Sequence, residues 1–322
     1  MADASLVSSG AADLTSNLRA TAERAADYAR NSQAPNTVRA YRSDWMHFTD
    51  WCVASGLSPM PASEATLALY LTDLAATRTV STLQRRISAI SKAHQAAGHG
   101  SPLKGAAAVV WRGIRRTKGT AQRGKAPART SEIRRMVETC GADLLGARDR
   151  AILLLGFAGA FRRSELVGLD AADLDFATEG LVVTLRRSKT DQEGAGAKVG
   201  IPYGSSPATC PVRGVRAWLQ AAGITTGPVF RGVDRWGNMS TQRLTDQTIA
   251  RVVKRAAHDA GLSADRYAGH SLRAGLATAA AEAGVSERII MAQTRHRSLP
   301  MVRRYIRDGG LFRDNAAARV GL

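Results

Sequence analysis

The chain has 322 residues, a mass of 34.2 kDa and a formal net charge of +18, because 45 Lys and Arg outnumber 27 Asp and Glu. Hydrophobic residues make up 44% and charged residues 22%, as in ordinary globular proteins, which excludes a chain that is disordered throughout. The length favours two domains. The charge predicts a polyanionic partner, either nucleic acid or an anionic membrane surface.

Apolar segments and cysteines argue against the membrane. The longest apolar run, Ala151 to Phe161, is too short to span a bilayer and predicts a buried helix. The first 20 residues lack the pattern of a secretory signal, and the three cysteines lie far apart, without disulfide or metal-type spacing. We therefore expect no membrane partner, reduced thiols and a cytoplasmic, nucleoid-associated protein.

The positive charge lies beyond residue 30. Residues 1–30 have a net charge of −1 and are compatible with an N-terminal tail or a helix that docks on a partner, whereas residues 31–130 have +10 and residues 131–322 have +9. Eight basic residues and no acidic ones lie between 104 and 129, and the Gly- and Pro-containing end of this stretch predicts a basic linker over 118–130. Such a linker suits a chain that wraps around a nucleic-acid duplex, although it also aids solubility.

Residues 31–117 predict a DNA-binding domain of four helices. The first begins after Asn36, as an N-cap, and ends at Gly56. Its apolar face is formed by residues at steps of three and four, namely Val38, Tyr41, Trp45, Phe48 and Cys52. The other helices are predicted over 63–74, 81–97 and 104–116. In the third, Leu83, Ile87 and Ile90 are expected to face inward, and Arg85, Arg86 and Lys92 outward.

Residues 131–322 predict a second domain that mixes helices and strands. Helices are predicted over 131–140, 147–161, 211–222, 244–260, 270–284, 286–293 and 299–307. Residues 181–185 and 197–203 are β-rich, and the turn residues from Asp191 to Gly196 between them predict a hairpin. The expected fold class is mainly α with a small β-sheet.

Common catalytic motifs are missing from the sequence. It contains no phosphate-binding loop, no G-x-S-x-G elbow and no acidic cluster with the spacing of a two-metal nuclease. If the chain acts on nucleic acid, we expect it to do so with no cofactor, neither bound nucleotide nor metal.

Cationic and imidazole side chains remain as candidates. Arg162 follows the buried helix and is placed to project into a cleft, although an arginine at a helix end also complements the helix dipole. His270 and Arg273 are spaced i, i+3 and so share one helix face, where a guanidinium and an imidazole suit one phosphate group.

A tyrosine follows the last of these groups. Tyr305 lies nine residues after His296, within a run that contains Arg303, Arg304 and Arg307. Positive charge nearby favours a phenolate. The alternative is a tyrosine half-buried against the core.

These patterns occur in one order: R-x-S-E-L from Arg162, a lysine hairpin, H-x-x-R from His270, and then His296 and Tyr305. In this order the chain resembles the tyrosine recombinases, the phage-integrase family, and its Cre-like members most closely. The resemblance covers residues 31–322. It implies an N-terminal four-helix core-binding (SAM-like) domain followed by a mixed α/β catalytic domain over 131–322.

The resemblance also implies a role for each matching residue. Catalytic positions fall on Arg162, Glu165, Lys189, His270, Arg273, His296 and Tyr305, with Tyr305 as the nucleophile and Glu165 as the acidic residue that supports the site. Two departures stand out. Many members have Gly where this chain has Arg295, which is expected to alter the turn but to spare His296. Lys198, on the second hairpin strand, is the alternative to Lys189.

The implied activity is site-specific recombination of DNA through a covalent 3′-phosphotyrosyl intermediate, without ATP or metal. The implied partner is double-stranded DNA with inverted-repeat recombination sites, bound by a protein that is a monomer in solution and a homo-tetramer on synapsed DNA. Two alternatives remain: a type IB topoisomerase-like enzyme that relaxes DNA, and a DNA-binding protein without catalysis.

Contacts to DNA are expected from basic side chains of the first domain and linker and from the start of the helix near residue 244. In the latter, Gln247 is suited to adenine and Arg243 to a phosphate or a base, although a solvated helix start explains both equally. The candidates are Arg85, Arg86, Lys92, Arg115, Arg116, Lys118, Arg123, Lys125, Arg243 and Gln247. The C-terminal residues Phe312 to Leu322 are expected to dock either on a neighbouring subunit or on their own domain.

Overall fold

The structure, a computed structural model, describes residues 16–31, 34–120, 124–186, 196–296 and 298–310. The chain divides into two compact units, Met1–Arg123 and Gly124–Leu322. The division falls inside the segment predicted as a linker. The turn expected at 191–196, except Gly196, and the C-terminal segment from Phe312 lie outside the described residues.

The described part of the first unit consists of helices and the segments that connect them, with no strand. Its helices are α1 (Ser16–Asn31), α2 (Pro35–Ala54), α3 (Glu64–Ala75), α4 (Val80–Ala96) and α5 (Gly105–Lys118). The side chains of Ser63 and Thr79 accept hydrogen bonds from the backbone N–H groups of Thr66 and Thr82, which caps α3 and α4. Helix α5 includes Lys118, which was expected in the linker, and α1 covers the second half of the segment 1–30 that was expected to be a tail or a docking helix, ending one residue beyond it.

The start of α2 differs from the prediction. Ala34 occupies the N-cap position and Pro35 opens the helix, so Asn36 lies inside the first turn and is not the cap. Proline is favoured at this position because its missing N–H is one that the helix leaves unpaired. Val38, expected on the apolar face, is exposed, whereas Phe48 and Cys52 are fully buried.

Arg86 corrects a second expectation. Leu83, Ile87 and Ile90 are buried as predicted, but Arg86 is only 7% exposed and does not face solvent. Its Nη1 donates to the Tyr70 hydroxyl, and its guanidinium pairs with the buried carboxylate of Asp44. Because Arg86 is held inside the unit, it is unsuited to the DNA contact proposed for it from sequence.

The second unit contains two small antiparallel sheets among helices. Its helices are α6 (Thr130–Glu138), α7 (Leu144–Ala158), α8 (Arg163–Gly168), α9 (Pro211–Ala221), α10 (Asp246–Asp259), α11 (Gly269–Glu282), α12 (Glu287–Thr294) and α13 (Leu299–Gly310). One sheet has the order β1 (Leu174–Phe176), β2 (Gly180–Leu185), β3 (Ala197–Pro202). The other pairs β4 (Arg231–Val233) with β5 (Met239–Arg243).

Strands β2 and β3 pair antiparallel, as the predicted hairpin requires. Gly180 lies opposite Pro202 and Leu185 opposite Ala197. Strands β1, β4 and β5 were not predicted, because they are short and mostly polar or half-exposed. The observed class, mainly α with small sheets, confirms the predicted one.

The segment after the unit boundary lies along α11. The backbone N–H of Ala126 donates to Arg266 O at 2.7 Å, and that of Ala128 to Ser271 O at 2.9 Å. A Cβ at Gly275 would lie 1.9 Å from Ala128 O, so this approach requires glycine. The end of the linker is therefore attached to the helix that contains His270 and Arg273.

Helix α13 is held by a small apolar cluster. Val302 is fully buried and packs with Ala277 of α11 and Ile290 of α12, and Tyr305 and Ile306 pack against this group at its edge. This packing places the tyrosine beside the N-terminal end of α11. Among the described helices, none combines the length and the apolarity that crossing a bilayer requires.

Candidate active site

Four separate elements of the second unit contribute the predicted catalytic residues that the structure describes. Arg162 caps α8, directly after buried helix α7, and His270 and Arg273 lie in the first turns of α11. His296 follows the end of α12, and Tyr305 lies on α13. Residues that are far apart in the chain thus come together on one face of this unit.

Arg162 and Glu165 form a closed pair at the start of α8. The Arg162 backbone N–H donates to Glu165 Oε2 at 2.9 Å, and its guanidinium pairs with Oε1. Glu165 is 4% exposed. Burial alone raises its pKa, but Arg295 and the hydrogen bonds from Arg162 outweigh burial and keep the pKa below its ordinary value. Glu165 is therefore an ionised carboxylate that orients Arg162.

Arg273 is the most deeply buried cation of the site, at 1% exposure. Its Nη1 donates to Ala160 O at 2.8 Å. Its Nη2 is also buried and has no hydrogen-bond partner among the described residues. Burial, with Arg162 and Arg295 nearby, lowers its pKa to about 9, so the guanidinium stays charged at neutral pH. An unpaired buried donor on a cation is costly unless an anion binds it.

His270 and Tyr305 are in direct contact. His270 Nε2 and the Tyr305 hydroxyl oxygen lie 2.8 Å apart, which is a hydrogen-bond distance. The imidazole is therefore within reach of the phenolic proton. Of the three arginines expected beside Tyr305, Arg303 pairs with Glu287 at 3.1 Å. The side chains of the other two lie outside the described part.

His296 also lies beside Tyr305, with ring centroids 5.8 Å apart. Its Nδ1 contacts Thr294 Oγ1 at 2.7 Å, and that hydroxyl donates to Ile290 O at 2.6 Å. Because the hydroxyl proton is used, Nδ1 is the donor, and Nε2 remains for the substrate. Burial and the charges of Arg273, Arg162, His270 and Arg295 lower the pKa of His296 to about 4.

Sequence reasoning missed the role of Arg295. The residue has φ 55° and ψ 41°, the left-handed conformation that glycine adopts most easily. An altered turn was expected here, but the observed turn is one that a glycine would also form. Its guanidinium turns back into the site and pairs with Glu165 at 3.0 Å. The departure from the glycine pattern was visible in the sequence, but the partner 130 residues away was not.

Lys189 and Lys198 were the two predicted alternatives for the catalytic lysine. Lys189 lies outside the described residues. Lys198 is exposed on β3, opposite Thr184 of β2.

The candidate DNA contacts differ in how free they are to bind phosphate. Arg85 is half-exposed but gives two hydrogen bonds to Asp44. Arg243 is likewise engaged, with Leu169 O at 3.0 Å and with Asp170. Lys118 and Lys125 donate to the backbone oxygens of Ala75 and Asp265, respectively. The exposed remainder within the described ranges is Lys92, Arg115, Arg116 and Gln247; Arg123 lies outside them.

With this geometry, the described part of the second unit joins three arginines, two histidines and a tyrosine in one site, as in an enzyme that transfers a DNA phosphate to a tyrosine. Residues 128–309 match the model of the phage integrase family. The chain is 42% identical to the integrase/recombinase XerD homolog of Selenomonas ruminantium, over 90% of this chain and 86% of that protein. It is 27% identical to tyrosine recombinase XerC of Bifidobacterium longum subsp. infantis, over 87% and 76% of the two chains.

The chain therefore belongs to the phage integrase family, the tyrosine recombinases. It is an enzyme of site-specific DNA recombination. The type IB topoisomerase alternative is not favoured, and neither is a DNA-binding protein without catalysis.

Solved structures agree in fold. XerH site-specific recombinase, bound to a palindromic difH substrate in a post-cleavage complex, matches with a TM-score of 0.67 and 17% identity over 92% of this chain and 83% of that one. Residues 75–356 of lambda integrase, bound to DNA, match with a TM-score of 0.60 and 17% identity over 88% and 92%.

Proposed function

We propose that this recombinase cleaves and rejoins double-stranded DNA through a 3′-phosphotyrosyl bond to Tyr305. The observation that carries the proposal is the 2.8 Å contact between the Tyr305 hydroxyl and His270 Nε2, beside a buried guanidinium with an unpaired donor. A nucleophile next to a base and a site for the phosphate are the two requirements of such a transfer.

In the cleavage step, the Tyr305 oxygen attacks the phosphorus atom of a phosphodiester. An O–P bond forms to the tyrosine, and the bond from phosphorus to the 5′-oxygen breaks. His270 accepts the phenolic proton, and Lys189 donates a proton to the departing 5′-oxygen, with Lys198 as the alternative donor. The energy of the broken bond is kept in the new one, so the reaction needs no nucleotide cofactor.

The cations stabilise the charge that develops during attack. Arg162, held by Glu165, and Arg273, through its unpaired Nη2, donate to the non-bridging oxygens. His296 adds a further donor once the phosphate anion raises its pKa. A 5′-hydroxyl from a partner strand then attacks the phosphotyrosine, takes over the phosphate and releases the phenol.

The basic surface is proposed to hold the duplex. Exposed basic side chains, Lys92, Arg115 and Arg116 among them, contact phosphates without distinguishing sequence, and Gln247 in the first turn of α10 contacts a base. The DNA carries inverted-repeat sites, a homo-tetramer forms on two synapsed duplexes, and the protein is a monomer without DNA.

A suicide-nicked substrate tests the chemistry. The substrate is a pool of duplexes with randomised inverted-repeat arms. Each duplex is nicked, so that religation is lost once a strand is cleaved. We expect wild-type protein to give a protein–DNA adduct that survives SDS, and the Tyr305→Phe variant to give none while it binds the same DNA.

Tyr41→Phe is the matched control, since Tyr41 is a half-buried tyrosine of the first unit, and its adduct yield should equal that of the wild type. Absence of any adduct with wild type, or an adduct with Tyr305→Phe, contradicts the proposal. Relaxation of supercoiled plasmid without dependence on a site would instead support the topoisomerase alternative.

A further inference from the structure

Arg295 makes an unusual set of contacts for a residue at the end of a helix. Its Nη1 donates to Gly159 O at 3.0 Å and to Gln293 O at 2.9 Å. Its Nη2 donates to Ala160 O at 3.2 Å and to Glu165 Oε2 at 3.0 Å. One guanidinium therefore joins the end of α12 to the loop that precedes Arg162 and to the carboxylate that orients Arg162.

The side chain is nearly enclosed. It is 13% exposed, and its guanidinium lies over the Phe161 ring, 5.0 Å from the centroid. Its backbone adopts the left-handed conformation, which strains any residue with a Cβ. A helix end needs only a glycine there, so turn geometry alone does not account for a long charged side chain that is directed inward.

The loop that Arg295 contacts is the support of both catalytic arginines. Ala160 has φ 47°, also left-handed, and its carbonyl oxygen accepts from Arg273 as well as from Arg295. Arg162 lies two residues after Ala160. A shift of this carbonyl would move the Arg273 guanidinium directly, and a shift of Glu165 would release Arg162.

We propose that Arg295 is a positioning residue that holds the Gly159–Arg162 loop and Glu165 in place, so that Arg162 and Arg273 address the same phosphate. The inference rests on the proposed function. Arg295 acts through Glu165 and Ala160 and makes no contact with DNA. The groups that face Glu165 are Arg162 and Arg295 by direct contact and Arg273 by charge.

The test compares three variants with wild type in single-turnover cleavage of the nicked duplex that wild type selects from the pool. Arg295→Gly accepts the left-handed backbone and removes the guanidinium, Arg295→Gln keeps the stem without the charge, and Arg295→Lys keeps the charge without the fork. We expect Arg295→Gly and Arg295→Gln to cleave about 10 to 100 times more slowly at unchanged DNA affinity, and Arg295→Lys to recover part of the rate.

A matched control is available on α9. Arg216 lies over the Phe176 ring, 4.9 Å from the centroid, and its Nη2 donates to the Tyr203 hydroxyl, so it resembles Arg295 in stacking but lies outside the site. Arg216→Gln is expected to cleave at the wild-type rate.

A double-mutant cycle identifies the route of action. If Arg295 acts in part through Glu165, combining Arg295→Gly with Glu165→Gln slows cleavage by less than the product of the two single effects. NMR titration of the Glu165 carboxyl without DNA gives a second readout, in which Arg295→Gly raises its pKa, because Arg295 is the largest favourable charge beside it.

The outcomes are separable. Wild-type cleavage by a folded Arg295→Gly, or an unchanged pKa of Glu165 together with additive effects in the cycle, overturns the inference. If Arg295→Gly does not fold by circular dichroism, Arg295→Gln decides by the same criteria. If wild type itself forms no adduct, the proposed function fails, while the NMR titration still tests the contact.

Discussion

His296 is neutral in the free protein at physiological pH, because burial and four neighbouring cationic or imidazole groups lower its pKa to about 4. A phosphate anion that enters the site reverses the local balance of charge and favours the imidazolium. DNA binding is therefore expected to be accompanied by proton uptake at this residue. The Thr294 hydroxyl, which orients the ring, had no recognisable signal in the sequence.

The same shift makes the stability of the protein depend on pH. Above pH 6.5 the histidine is neutral in both states, but as the pH falls from 6.5 toward 4 only the unfolded chain binds the proton. The contribution of His296 to the free energy of unfolding is thus complete above pH 6.5 and is lost as the pH falls from 6.5 to 4. We expect the urea midpoint of wild type to decrease from pH 6.5 to 4, and that of His296→Gln to decrease less.

His258→Gln provides the control, because the His258 side chain is 80% exposed. Its midpoint should follow the wild-type dependence on pH. A His296→Gln variant with the same pH dependence as wild type would disprove the lowered pKa of His296 as its cause.

Residue patterns predicted the catalytic candidates because the spacing of a motif is local information. H-x-x-R places His270 and Arg273 on one helix, and the structure shows both in the first turns of α11. Side-chain environment is not local. Nothing in the run of residues 85–92 indicates that Asp44 is buried 41 residues earlier and binds Arg85 and Arg86.

At the level of elements, apolar periodicity predicted the helices well. The bounds of α3, α4, α9 and α10 lie within two residues of those expected from sequence. The pair β4–β5 was missed, because its strands are short and polar and contain no alternation of apolar residues. Its position depends on distant contacts, such as the pairing of Arg243 with Asp170.

Helix α4 offers a direct comparison between a buried and an exposed cation. Arg86→Gln leaves the buried Asp44 carboxylate with Arg85 as its remaining partner, so we expect the free energy of unfolding to fall by about 1–3 kcal/mol. Lys92→Gln, on the exposed face of the same helix, should change it by less than about 0.5 kcal/mol. Urea unfolding of the full chain, followed by tryptophan fluorescence, measures both, and equal effects would refute the structural role of Arg86.

For the molecule as a whole, the charge of +18 predicts salt-sensitive DNA binding. Each phosphate contact releases counterions, so the slope of log K against log salt is about −0.9 per contact. A protein with six or more contacts loses about 10³-fold in affinity between 50 and 200 mM salt. Fluorescence anisotropy with a labelled duplex measures the slope.

The end of α5 is the place to test which charges contribute. Replacing Arg115 and Arg116 together by Gln should reduce the slope by about 1.8, since both are exposed. Arg216→Gln in the second unit should leave it unchanged. A slope that does not differ between the double variant and wild type would show that these residues make no phosphate contact.

The hydrogen bond from Ala126 to Arg266, just before α11, fixes the chain soon after the end of α5. Helix α5 ends at Lys118, and the backbone is fixed again at Ala126, eight residues later. Eight residues, even fully extended, span at most about 29 Å. Any longer path between these two points requires the last turn of α5 to unwind or the 126–128 segment to leave the helix of His270 and Arg273.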